Sequence, residues 1–229
     1  MKLEHQTLND RAYEEIRRRL VTGQFQPGQV LVIRTLAENF GISATPVRDA
    51  MQRLVAERLL VMLPNRSIAV PLLALDTFVE LVRIRAALEG LAGELATPNI
   101  RLNELHQLHR LIAEGEQAAA ARDMNAYVQM NQRFHFLIYG RAESPLLFQK
   151  IHELWSQVGP FFTRLFDSDA YIPIANDVHR AIVAALEARN GDVVRREIAH
   201  DITSAAEPLM ASLQRRTAED PSLPQEALA

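Results

Sequence analysis

Cysteine is absent from the 229 residues, which excludes a disulfide framework and any thiolate metal site. No run approaches the roughly 18 apolar residues a membrane-spanning helix needs. The opening Met1-Lys2-Leu3-Glu4-His5-Gln6 has no apolar signal core. Together these absences predict a cytoplasmic protein with no membrane partner. A strong charge of one sign is missing too: 25 Lys and Arg face 28 Asp and Glu, which excludes a uniformly basic nucleic-acid binder. What is present is a composition able to bury a core, 48% hydrophobic and 23% charged, on a chain long enough for two modest domains. The charge is uneven. Residues 1–75 hold 10 basic against 7 acidic residues, net +3, and the remainder 15 against 21, net −6.

From Thr7 to Val21, Tyr13, Ile16 and Leu20 recur at helical spacing, and Gly23 stands where such a helix would stop. Pro27-Gly28 marks a turn, after which Leu36, Ala37 and Phe40 predict a short second helix closed by Gly41. A third helix begins at Ser43 or Thr45, either of which can accept from the free amides of a helix start, with Pro46 at its first position. Its apolar face is Val47, Met51, Leu54 and Val55. Two short helices joined by Gly41-Ile42-Ser43 form a helix-turn-helix that turns Ser43, Thr45 and Arg48 toward base edges and phosphates. Leu60-Val61-Met62-Leu63 and Ile68-Ala69-Val70 flank Pro64-Asn65-Arg66-Ser67, predicting a two-stranded wing with a cation in its turn. Arg66 would lie against phosphate or in a minor groove, and Arg48 is the candidate for bidentate contact with guanine. The same elements also fit a protein-interaction module in which Arg48 only solvates a helix.

The residues Gly23-Gln24-Phe25-Gln26-Pro27-Gly28, Leu36-Ala37-Glu38, Ser43-Ala44-Thr45-Pro46-Val47-Arg48-Asp49-Ala50-Met51-Gln52-Arg53-Leu54 and Pro64-Asn65-Arg66 resemble the winged-helix domain of the GntR superfamily of bacterial regulators. The resemblance covers nearly all of residues 8–72. It implies DNA binding, with Arg34, Ser43, Thr45, Arg48 and the wing tip, Asn65 and Arg66, as contacts. Ala44 stands where many members place a basic residue, so one common contact is missing. Arg58 and Ser67 occupy places usually held by glycine, the residue that adopts positive φ without steric cost.

From Asp76 onward no strand-like alternation occurs, and the chain reads as helices broken by Thr97-Pro98, Gly140, the stretch from Asp167 to Pro173, and Asn190-Gly191. The expected architecture is mainly α: a winged helix-turn-helix in residues 1–75, an all-α helical bundle in 76–216, and a frayed tail over 217–229. Polar residues interrupt the apolar stripes of the bundle. Asn131 and His135 share a stripe with Met124, Tyr127, Val128, Phe134 and Ile138, and His179 falls on the stripe Ala175, Val178, Ile182 and Leu186. Burying them unpaired would cost about 1–3 kcal/mol per group. A divalent metal would satisfy all three, as would neighbouring side chains and water. His200 lies off its helix's stripe of Val194, Ile198, Ile202 and Leu209, and no inward acid is evident near His135 or His179. Arg85, between Val82 and Leu88 on an apolar face, calls for an anion, and Glu89 one turn on can supply it. His106 and His109 read as a solvated pair, while His5 and His152 have no partners in sequence.

Phe78 to Glu89 with its Arg85 and Leu88-Glu89, the Phe134-His135 pair, and His179-Arg180-Ala181-Ile182 through Gly191-Asp192 to His200 resemble the FCD ligand domain of FadR-type GntR regulators, over roughly residues 76–212. In metal-binding members an Asp four residues before the first His, and three His from three helices, hold one divalent cation. The resemblance therefore implies Asn131, His135, His179 and His200 as ligands of Zn²⁺, with Ni²⁺ or Mn²⁺ as alternatives. Asn131 brings no charge, which implies weaker binding. The resemblance also implies a small organic-acid effector near Arg85, so that residue has two readings, effector contact and ion pair.

The function expected is that of a homodimeric, ligand-responsive transcription regulator, a repressor, whose winged helices bind an inverted repeat in operator DNA. It is not expected to be an enzyme. The rivals are a metal-dependent hydrolase with three His ligands and a ligand-free dimerisation module.

Overall fold

The computed structural model describes residues 7–162 and 171–219, and divides into two compact units: among the described residues, the first holds 7–74 and 156–160 and the second 75–155, 161–162 and 171–219. Among the described residues no helix is long and apolar enough to cross a membrane.

The first unit is built from three helices and a small sheet. α1 spans Leu8–Val21 and starts in a capping box, Thr7 accepting from the Asp10 amide while Asp10 accepts from the Thr7 amide. Its buried stripe is Ala12, Tyr13, Ile16, Leu20 and Val21. α2 spans Ile33–Phe40 and ends at Gly41, whose φ of 66° lets the Ile42 amide reach back to the Ala37 carbonyl. α3 spans Ala44–Ala56 and buries Val47, Ala50, Met51 and Leu54 against α1 and α2. Its first helical residue is Ala44, so Pro46 stands at the third position and not the first. β1 (Val30–Leu31), β2 (Val61–Met62) and β3 (Ile68–Ala69) form an antiparallel sheet in the order β1-β3-β2, pairing Val30 and Val61 with Ala69, and Leu31 and Met62 with Ile68. β1 adds a third strand to the expected two-stranded wing. Two non-glycine residues carry the strain expected where glycine is usual: Arg58 at φ 59° and Arg66 at φ 65°. The second left-handed residue is Arg66, so the wing turns one residue before Ser67.

The second unit is all helical among its described residues. α4 spans Leu75–Ala96, α5 Leu102–Ala120, α6 Met124–Tyr139, α7 Pro145–Val158, α8 Tyr171–Glu187 and α9 Gly191–Glu219. A single 3-10 turn at Thr97–Asn99 separates α4 from α5. α4 lies along α9, α8 packs on α9, and α5 packs on both α6 and α8. The approach of α4 to α9 depends on Gly93, where a Cβ would sit 2.3 Å from Ile198 Cδ1 and 2.9 Å from Val194 Cγ1. Two boundaries differ from the sequence pattern. Pro173, expected in a break between helices, lies within α8. α9 runs through Glu219, past the expected tail start at 217; the other tail residues, 220–229, and residues 163–170 lie outside the described residues.

Candidate functional site

Two features stand out, one in each unit. In the first, the start of α3 is exposed: Ser43, Ala44, Thr45 and Arg48 face solvent, as does Arg34 on α2. A residue capping a helix normally accepts from the second or third helical amide. Here the third helical residue is Pro46, which has no N–H, and the Ser43 side chain makes no cap hydrogen bond. Its hydroxyl is therefore left for an outside partner. In the wing turn, Asn65 Oδ1 accepts from the Ser67 amide at 3.0 Å and the Arg66 amide donates to the Leu63 carbonyl at 2.8 Å, so Asn65 shapes the turn while exposed Arg66 forms its tip. Among the described residues Arg34, Arg48 and Arg66 enter no ion pair. Arg53, further along α3, is by contrast paired with Glu57 at 3.1 Å and lies over the Tyr13 ring. Cations without protein partners on an exposed helix start and a turn tip suit phosphate and base edges.

In the second unit, α6, α8 and α9 bring His135, His179 and Asp201 together in the interior. One ligand atom from each lies within 4.8 Å of the others. His135 Nε2 is 3.2 Å from Asp201 Oδ2, and His179 Nε2 is 3.7 Å from Asp201 Oδ1. His179 is fully buried and stacked on Phe134 at 4.4 Å between centroids, yet neither ring nitrogen has a hydrogen-bond partner. Asp201 Oδ1 lacks one as well. Burial pushes the His179 imidazole down to about 4, with His135 adding to the effect and Asp201 opposing it. Burial pushes the Asp201 carboxyl up, but its hydrogen bond to His135 and the facing His179, His135 and Arg85 outweigh that and hold it below its ordinary value.

A second polar chain backs this cluster. His135 Nδ1 lies 3.1 Å from Tyr139 Oη, and Tyr139 donates to Glu89 Oε2 at 2.8 Å. Glu89, fully buried on α4, also accepts from Trp155 Nε1 at 2.7 Å and from Arg85 Nε at 2.7 Å. The Arg85 guanidinium lies 4.9 Å from the centroid of the Trp155 ring. Burial, and then the neighbouring Glu89, keep the Tyr139 phenol protonated far above its ordinary range.

This geometry revises the sequence-predicted ligand set. His135 and His179 meet as their stripes implied. His200 does not join them: it is exposed on α9, with Nδ1 3.2 Å from Ser204 Oγ, because a step of about 100° per residue turns it away from the core. Asp201 takes that place. Asn131 is half-buried one turn before His135. The sequence signal for Asp201 was available, since it stands seven residues after Val194 and three after Ile198, squarely on the apolar stripe. It is an inward acid that faces both histidines. Tyr139 and Trp155 carried no such signal; a buried aromatic looks like core until its polar tip is placed. For Arg85 the structure contains the ion pair with Glu89.

The buried donors fit a divalent cation. Two imidazoles and one carboxylate, three of whose polar atoms are otherwise unpartnered, form a set that zinc, nickel, manganese or iron accept.

Comparison with known proteins gives the same two parts. Residues 8–70 match the family described as bacterial regulatory proteins, gntR family, and residues 80–204 match the FCD domain. The chain is 30% identical over 200 residues to the HTH-type transcriptional regulator McbR of Escherichia coli strain K12, covering 86% of this chain and 90% of that one. It is also 30% identical over 169 residues, 74% of each chain, to the "Probable D-xylose utilization operon transcriptional repressor" of Paenarthrobacter nicotinovorans. The solved structure of E. coli McbR/YncC superimposes with a TM-score of 0.83 at 29% identity, over 92% of this chain and 98% of that one.

Proposed function

Because this chain belongs to the FadR-type GntR family of bacterial transcription regulators, a gntR-type DNA-binding domain joined to an FCD domain, we propose that a small carboxylate sensed at a divalent cation in the helical unit sets its grip on operator DNA. The observation that carries the sensor reading is His179, fully buried with both ring nitrogens unpartnered beside an unpartnered oxygen of Asp201. Such orphaned groups cost about 1–3 kcal/mol each unless something binds them. His135, His179 and Asp201 are the proposed ligands, with the Asn131 carboxamide as a fourth and Zn²⁺ as the first candidate ahead of Ni²⁺ and Mn²⁺. The carboxylate that the family pattern puts four residues before the first His is a carboxamide here, and Asp201 on α9 returns the lost negative charge. When bound, the cation offers open positions to carboxylate oxygens.

Arg85 is read as a structural partner of Glu89: an effector reaching it would compete with a buried ion pair at 2.7 Å. On DNA, Arg34, Ser43, Thr45, Arg48, Asn65 and Arg66 are the proposed contacts, in a cytoplasmic homodimer whose two winged helices take the halves of an inverted repeat. Repression follows the function named for the Paenarthrobacter relative. The effector changes DNA affinity only by binding the DNA-competent and DNA-incompetent arrangements unequally. A sensor fits better than a hydrolase, because Asp201 is spent on the cation and Glu89 on three donors, which leaves neither as a general base.

The test is thermal: small mono- and dicarboxylates raise the melting temperature of the Zn²⁺-loaded protein and leave the chelator-treated protein unmoved. An equal shift in both would remove the cation from the sensor.

A further inference from the structure

Asn176 is 6% exposed on α8, one helical turn before His179, so the two side chains leave the helix on the same face with Cβ atoms roughly 5–6 Å apart. Tyr127 on α6 donates to its Oδ1 at 3.2 Å. Burial, and then the charge of Asp201, raise the Tyr127 phenol above its ordinary value, so its hydrogen stays in that bond and the residue lies within the field of the cluster. With Oδ1 engaged, the two hydrogens of the amide stand on Nδ2, which makes no hydrogen bond among the described residues. A donor held this way in so buried a residue is satisfied only by what enters beside it.

The surroundings select the kind of acceptor. Arg85 is held by Glu89 at 2.7 Å, and Asp201 already brings a negative charge to the cluster. A second carboxylate would meet a neutral amide near an anion, and burying it would cost more than burying a hydroxyl or carbonyl oxygen. We propose that Asn176, oriented by Tyr127, is the effector's second contact, so that the effector is a carboxylate carrying a neutral oxygen a few carbons from its acid group. The inference rests on the cation-centred sensor proposed above: the acid group goes to the cation beside His179, and the neutral oxygen accepts from Asn176 Nδ2. A spacing of roughly 5–6 Å is comparable to that between the two ends of an extended γ-hydroxybutyrate.

The experiment is calorimetric titration of the Zn²⁺-loaded full-length protein with butyrate, γ-hydroxybutyrate and succinate. Wild type is expected to bind γ-hydroxybutyrate about 3–10-fold more tightly than butyrate, the worth of one neutral hydrogen bond, and more tightly than succinate. Asn176→Ala is expected to make the two monocarboxylate affinities equal while keeping wild-type zinc content. Asn176→Asp, which still accepts from Tyr127 but has no amide hydrogens, gives the same result should the alanine variant not fold. The ratio is the readout, because a loosened core lowers both affinities alike. Equal binding of butyrate and γ-hydroxybutyrate by wild type overturns the proposal with no variant needed and leaves the sensor reading standing. A preference that survives in a folded variant overturns it too, as does tighter binding of succinate than of γ-hydroxybutyrate. If no acid binds wild type, the sensor reading fails and this contact falls with it.

Discussion

His135 Nε2 and Asp201 Oδ2 face each other at 3.2 Å in the interior of the helical unit, one on α6 and the other on α9. The contact puts a carboxylate among the imidazoles from α9, where the family pattern has one on α6 four residues before His135. In place of a neutral carboxamide beside three imidazoles, the proposed site has an anionic oxygen and two imidazoles at its centre, with Asn131 at its margin. A harder, more negative donor set favours a divalent cation more strongly than the all-neutral set would.

Arg48, exposed on the first turns of α3 and in no ion pair among the described residues, is the side chain proposed for base contact. Arg48→Ala should remove the operator shift at concentrations where wild type binds fully, a loss of about 1–3 kcal/mol for one bidentate contact, with an unchanged melting temperature. Electrophoretic mobility shift on the footprinted operator measures it. Binding as tight as wild type would sink α3 as the reading helix.

Arg58 closes α3 in the left-handed conformation, its amide bonded to the Val55 carbonyl and the next amide, of Leu59, to the Leu54 carbonyl. That arrangement favours glycine, and a side chain there costs about 1 kcal/mol or more. Arg58→Gly should therefore stabilise the protein by about 1 kcal/mol in urea unfolding. A loss of stability would show that the Arg58 side chain contributes more than its backbone costs.

Acid should weaken the metal-free protein through His179. Its folded value of about 4 lies below the ordinary 6.5, so the unfolded chain binds a proton in that interval that the folded chain does not. Stability from this group is complete above about pH 6.5 and drains away as pH falls toward 4. Melting temperature followed from pH 7 to 4 in chelator should fall more steeply for wild type than for His179→Gln. Parallel curves would mean that His179 is not held neutral in the fold.

Much of this was legible in the sequence because helix periodicity and punctuation are local. Thr7 and Gly23 bracket α1, Gly41 ends α2, and the stripe through Val47, Met51 and Leu54 is the observed core face of α3. β1 escaped notice because two residues, Val30 and Leu31, carry no period of their own and become a strand only by pairing with β3. Pro46 misled the placement of the helix start: a proline is tolerated anywhere in the first turn, so it marks the turn and not the residue. In the helical unit, His135 and His179 announced themselves as polar residues on apolar stripes. Asp201 obeys the same rule, whereas His200 belongs to the expected ligand set only through the family resemblance, its helical phase turning it off the stripe. The Glu89 network could not be foreseen, since Tyr139 and Trp155 reach it from separate helices through their polar tips.

The central claim, a divalent cation held by His135, His179 and Asp201, is tested most directly by elemental analysis of purified protein and two variants of adjacent residues. About one divalent ion per chain is expected in wild type and in His200→Ala, and a large loss in Asp201→Asn, which keeps the shape of the side chain and removes its charge. Metal absent from wild type after incubation with Zn²⁺, or lost from His200→Ala and retained by Asp201→Asn, would contradict it.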